Sequence, residues 1–130
     1  MTRNQLTDWA EHSRFVQRIR RRYATEQGYL PSGIPNRSDM ETLFTRLREQ
    51  YDAGSALRIV RQLVMVRLAE WDCNQQTNLN SVTLAMTELA EFSLQVAADE
   101  AVAKLGTRCE FCIVGMGKLG ARELNVSSDI

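Results

Sequence analysis

Gly115, Gly117, Gly120, Lys118 and the run Ser127-Ser128-Asp129 are the residues of this 130-residue chain best suited to chemistry on a phosphate. Glycines let the backbone approach a ligand closely and turn its N–H groups toward phosphate oxygens. Lys118 adds a point charge, and the hydroxyls of Ser127 and Ser128 can bond the same oxygens. Asp129 offers a hard oxygen to a Mg²⁺ ion bridging to a phosphate. A phosphate cradle beside carboxylates that hold metal ions is what nucleotidyl transfer requires. Ser-Ser-Asp also serves as a turn or a helix cap, so spacing alone leaves both readings open.

Other motifs compete for attention. Gly115 to Gly120 fits the G-x-G-x-x-G pattern of dinucleotide-binding domains. That pattern needs a helix after the glycines, a second parallel strand and an acidic residue about 20 positions on. The chain stops ten residues after Gly120, and Asn125-Val126-Ser127-Ser128 interrupts any long helix. No Ser or Thr follows Lys118, so this is not a Walker loop. Cys109 and Cys112 form a C-x-x-C whose side chains, on a strand, point to opposite faces. With no second pair and the only histidine far upstream at His12, buried strand cysteines are favoured over zinc or redox chemistry. His12 borders an apolar stripe, as a packed, hydrogen-bonded histidine does, and Cys73 near a helix end reads as inert. Arg18, Arg20, Arg21 and Arg22 spread around a helix axis and read as a solvated helix end rather than an RNA site. Arg58 and Arg61 share one face of a later helix, where salt bridges within a bundle would account for them.

These residues need elements to hold them. Hydrophobic residues make up 44% of the chain, enough apolar surface to bury a core. Sixteen acidic residues balance sixteen basic ones. A neutral total gives no long-range pull toward nucleic acid or anionic lipid, and neither is expected as a partner. No apolar run approaches the roughly 20 residues that span a bilayer, and the amino terminus lacks the pattern of a signal peptide. Three cysteines, an odd number, suit a reducing compartment. A soluble cytoplasmic protein is expected.

Periodicity predicts four helices. Leu6, Trp9, Val16, Ile19 and Tyr23 give the first an apolar stripe. The loop Gly28–Ser38 holds both prolines and breaks it. Ser38 and Glu41 have capping-box spacing for the second helix, with Met40, Leu43, Phe44, Leu47 and Tyr51 on its buried face. After Asp52–Ser55 the third aligns Leu57, Val60, Val64, Leu68 and Trp71. Cys73–Asn80 reads as a turn, and the fourth helix runs from about Ser81 to about Leu105 with Val82, Met86, Leu89, Phe92 and Val96 aligned. Short loops favour antiparallel neighbours, so residues 1–105 read as a small helical bundle. Over 106–130 the character changes: Cys109–Val114 is short, β-branched and aromatic, as strands are, and the glycine turn follows. A lone strand cannot satisfy its own edges, so the sequence is expected to be a truncation of something longer.

The stretch from Ile113 to Ile130, IVGMGKLGARELNVSSDI, resembles the signature of the glutamine synthetase adenylyltransferase/adenylyl-removing family, which reads on into a second aspartate. Leu57–Ala69 is similar to the arginine-bearing helix that precedes the family's catalytic domain, and Met86–Phe92 to the helix leading into it. The resemblance implies a mainly α chain: the antiparallel bundle, then the first strand and turn of an α+β nucleotidyltransferase domain. It implies a multifunctional enzyme of nitrogen metabolism with two such domains. One removes AMP from a tyrosine of glutamine synthetase by phosphorolysis, releasing ADP; the other attaches AMP from ATP. Arg122-Glu-Leu-Asn125 is similar to the AMP-removing half. Carried over by position, Gly117, Ser127 and Ser128 line the phosphate turn, joined by Gly115 and Lys118, and Asp129 is the first Mg²⁺ ligand and the catalytic carboxylate. Implied partners are glutamine synthetase, ATP or ADP, phosphate and the PII signalling protein. Ala121 stands where the family usually has glycine, and the second aspartate, the third acidic residue and the rest of the sheet lie outside the sequence. The chain by itself is therefore expected to be inactive. A helical module that docks glutamine synthetase or a regulatory protein is the alternative, and a dinucleotide-binding domain the third.

Overall fold

The structure, a computed structural model, describes residues 8–107 and 109–127. A 3-10 turn at Trp9–His12 leads into helix α1 (Arg14–Arg22), and a second 3-10 turn spans Glu26–Tyr29. Helices α2 (Arg37–Leu47), α3 (Ala53–Cys73) and α4 (Leu79–Leu105) follow, with a single helical turn, α5, at Gly117–Gly120. No strand forms among the described residues. The chain is therefore mainly helical, and no described helix is long and apolar enough to cross a membrane.

Capping residues set where each helix begins. Ser13 accepts a hydrogen bond from the Val16 N–H and starts α1, so the expected stripe, whose Leu6 lies outside the described residues, is interrupted between Trp9 and Val16. Trp9 consequently sits on the 3-10 turn, 59% exposed, rather than on the buried face. The capping box of α2 is Asn36 with Asp39, not Ser38 with Glu41. Both pairs have the same spacing; Asn36 wins because it has the extended backbone an N-cap needs, whereas Ser38 already lies in the first turn. Asp52 caps α3 through the Ser55 N–H at 2.7 Å, a bond that holds its carboxyl below the usual value. Asn78 caps α4 through Ser81 N–H at 2.9 Å. Gly106, in the left-handed region, ends α4.

The core gathers Val16 and Ile19 from α1, Met40, Leu43 and Leu47 from α2, and Met86, Leu89 and Phe92 from α4 around α3. Since α3 packs against each of the other three long helices, its burial runs most of the way round. Ile59, Leu63 and Val66 are buried there alongside Val60 and Val64, while Leu57 and Trp71 of the expected stripe are only half-buried. Contacts also fix direction. Arg37 lies over the Phe92 ring, Phe44 meets that ring edge-on at 5.5 Å, and Arg48 reaches Glu100, so α2 and α4 run the same way. The five-residue link at 48–52 turns the chain back into α3, antiparallel to both. Along α3, Asn74 meets Trp9, Glu70 meets Arg20, and Arg67 meets the carbonyls of Gln27 and Leu30, so α1 is antiparallel to α3 as well. It follows that α1 and α2 run in the same direction, joined by the long crossover 23–36.

A charged network fastens α1 to α3. Arg20 bridges Asp8 at 2.8 Å and Glu70 at 2.9 Å, and Glu70 also holds Arg67 at 3.0 Å. Arg20 is thus not part of a solvated helix end; only its neighbours Arg18, Arg21 and Arg22 are exposed. Burial pushes the Asp8 carboxyl up, but bonds from Arg20 and Asn74 more than offset this and hold it below its usual value. Glu70→Gln keeps the shape and removes the charge two arginines share. Because the groups are 17–34% exposed, the charged-bond worth is discounted to about 1–2 kcal/mol. A urea titration should show that loss as a lower midpoint with unchanged slope; no shift would mean the network contributes nothing.

Candidate functional site

The glycine turn leaves no room for a side chain at one of its three glycines. A Cβ on Gly120 would strike the Gly115 carbonyl oxygen and stand 3.0 Å from its carbon. Gly117 has φ +56°, in the left-handed region that favours glycine. The amides of Gly120, Ala121, Arg122 and Glu123 close the turn by donating to the carbonyls of Met116, Gly117, Leu119 and Lys118. Arg122 follows with φ +60°. Gly115, Gly117, Lys118 and Ser127 are all exposed, and the Ser127 hydroxyl donates to Asn125 Oδ1 at 3.1 Å. Ser128 and Asp129 lie outside the described residues.

Two contacts place this segment on α4. The Leu124 N–H donates to Thr87 Oγ at 3.2 Å, with Leu124 itself only 4% exposed and part of the core. Arg122 pairs with Glu91, one turn further along α4, at 2.8 Å. Between the segment and the bundle lies an open cleft of about 670 Å³ lined by Arg37, Glu91, Asp99, Phe111, Ile113 and Arg122 among others. Sequence reasoning missed Thr87, Glu91 and Arg37. The available signal was Thr87 itself, a hydroxyl set inside the apolar run Met86, Leu89, Ala90.

Residues 109–114 form no strand, because a strand is completed by ladder bonds and no described segment offers one. Phe111, Ile113 and Val114 are accordingly 50–73% exposed. Cys109 and Cys112, expected to be buried on that strand, are exposed and free, as is Cys73. His12 is exposed rather than packed, its ring 5.9 Å from that of Trp9. Arg58 and Arg61 are exposed and form no ion pair among the described residues. The glycines themselves carry a single turn of helix, Gly117–Gly120, and no helix follows it among the described residues, unlike the long helix a dinucleotide site uses. Among the described residues no group of three His, Cys, Asp or Glu is placed to hold a metal.

The family described as glutamate-ammonia ligase adenylyltransferase matches residues 9–130. The chain is 34% identical, over 92% of its length, to the bifunctional glutamine synthetase adenylyltransferase/adenylyl-removing enzyme of Ralstonia nicotianae. It is 32% identical over 96% of its length to the protein of that description from Aromatoleum aromaticum, and 42% over 57% to the one from Bordetella pertussis. It spans about 15% of the length of the first two and 9% of the third. No solved structure matches the chain.

Proposed function

The chain belongs to the glutamate-ammonia ligase adenylyltransferase family, and from that premise we propose that it carries the helical layer and phosphate-binding turn of an AMP-removing nucleotidyltransferase domain. The observation that carries this reading is the glycine turn: a tight backbone bend that has no room for a side chain at Gly120, followed at Leu124 by a hydrogen bond to Thr87 on α4 just ahead of Ser127. Residues 1–105 are proposed as the helical unit and 106–130 as the opening of the catalytic domain, whose remaining strands would cover Phe111, Ile113 and Val114.

The proposed substrates are AMP-bearing glutamine synthetase and phosphate. A phosphate oxygen attacks the AMP phosphorus, the bond from phosphorus to the tyrosine oxygen breaks, the tyrosine takes up a proton, and ADP leaves. The amides of Gly120 to Glu123 are engaged in closing the turn, so backbone contacts to phosphate fall to the stretch from Gly115 to Leu119. Lys118 and the hydroxyls of Ser127 and Ser128 add donors. The donor set fits magnesium in kind, since Asp129 and two hydroxyls are hard oxygen ligands, but further carboxylates must complete a site. When bound, magnesium would neutralise charge on the transferring phosphoryl group.

The test continues the chain with the corresponding sequence of the Ralstonia nicotianae relative. Phosphate-dependent ADP release from adenylylated glutamine synthetase is expected. Asp129→Asn should slow it by about 100-fold or more, the scale of removing one charge-stabilising group. AMP attachment from ATP instead would assign the other activity, and a folded protein doing neither would sink the reading.

A second reading has its own observation. Arg14, Arg18, Arg21 and Arg22 are exposed on α1 and form no ion pair among the described residues. Such a face suits docking on an acidic protein surface, with glutamine synthetase or the PII signalling protein as the proposed partners. Salt-sensitive binding of glutamine synthetase to the chain, weakened by Arg18→Ala with Arg21→Ala, would support it; unchanged binding would count against it.

A further inference from the structure

We propose that Thr87 is a positioning residue: its buried hydroxyl grips the Leu124 backbone and so sets the register in which the segment after the glycine turn delivers Ser127. Thr87 is fully buried on α4. A helical threonine commonly donates to the carbonyl four residues back, leaving its acceptor lone pairs to water. Here the donor half of that habit is kept, with Thr83 O at 2.8 Å, while the acceptor half takes a backbone N–H from 37 residues downstream.

That geometry has a specific consequence. Thr87 reads the main chain at Leu124, so this one bond does not depend on residue type there and is lost only by a slip along the chain. Ser127 is three residues on, a span of at most about 10 Å even fully extended. The Leu124 side chain, buried in the core, and the Arg122–Glu91 pair on the next turn of α4 resist rotation about the grip. Without it, the buried Leu124 N–H would lack a partner and the segment would leave α4 to find water.

Thr87 has this role only if the glycine turn performs the transfer chemistry proposed above, and two readouts keep the two ideas apart. In the 130-residue chain, Thr87→Val keeps the volume and removes the acceptor. Amide exchange at Leu124 should then accelerate about 10- to 100-fold, the range for an unmet buried donor, while amides of α2 and α3 exchange as before. Thr87→Ser restores the hydroxyl and should restore slow exchange. In the continued protein, Thr87→Val should lower kcat with little change in KM, and Thr87→Ser should recover it. If Thr87→Val unfolds the bundle, Glu91→Gln provides the second variant, with faster exchange confined to Arg122–Leu124. Unaltered exchange at Leu124 in a folded valine variant, or no recovery by serine, would each overturn the proposal. Local exchange as expected in a continued protein without activity would overturn the function instead and leave the grip standing.

Discussion

Leu63→Ala is expected to remove about 2–5 kcal/mol of stability, the largest effect of any single truncation proposed for this bundle. Leu63 is 2% exposed on α3, the helix that touches all three of its long neighbours. A cavity there cannot be filled from one side without loosening another contact, which puts the cost toward the upper end of that range. Domains of this size hold about 5–15 kcal/mol in total, so a third or more of the margin goes at once. The melting temperature should fall on the order of 10 °C or more. Leu84→Ala is the matched control: Leu84 is on α4 but 43% exposed, and its removal should cost about 0.5 kcal/mol or less. Equal losses for the two variants would mean that α3 is not the centre of the core.

Local patterns made most of the bundle readable. Met40, Leu43 and Leu47 on α2 and Met86, Leu89 and Phe92 on α4 lie on the faces their spacing predicts, because each of those helices buries one side. At α3 the rule finds only part of the buried surface: Val60, Val64 and Leu68 are buried as expected, but so are Ile59, Leu63 and Val66, because this helix has neighbours on several sides. The rule misleads at Trp9, since periodicity cannot see that Ser13 restarts the helix. Long-range polar contacts left almost no trace: Arg20 and Glu70 are 50 positions apart, and nothing local distinguishes either from a solvated charge. The strand expected at 109–114 has the right residues, but strand identity is shared with a neighbour, and none of the described residues supplies one. At the candidate site, the glycine turn was legible because its conformation is local: Gly117 takes a positive φ and Gly120 abuts the Gly115 carbonyl. Thr87 and Glu91 were not, because they act on a segment more than 30 residues away.

Gly120→Ala is expected to release the glycine turn from the bundle while leaving the helices folded. The added methyl would meet the Gly115 carbonyl, a backbone group that no rotamer change can move aside. Overpacking of this kind costs about 1–3 kcal/mol, and more where backbone must shift. What opposes release is of similar size: the Leu124 hydrogen bond and the exposed Arg122–Glu91 pair, each worth about 1 kcal/mol or less, plus the burial of one leucine at about 1.5–3 kcal/mol. The balance is therefore close to tipping, and limited trypsin digestion should report it as cleavage after Arg122 at least about 10-fold faster than in the parent chain. The neighbouring position supplies the contrast. Ala121 stands where the resembling family usually has glycine, yet its backbone sits at φ −78°, ψ −4°, which any residue adopts without strain. Ala121→Gly should leave the cleavage rate within about twofold, because the turn demands glycine at 120 for space and at 117 for its positive φ, but at 121 for neither. Slow cleavage in the Gly120→Ala chain would show that Gly115 can retreat without loosening the turn, and the close approach of the two glycines would then have no bearing on how a phosphate is held.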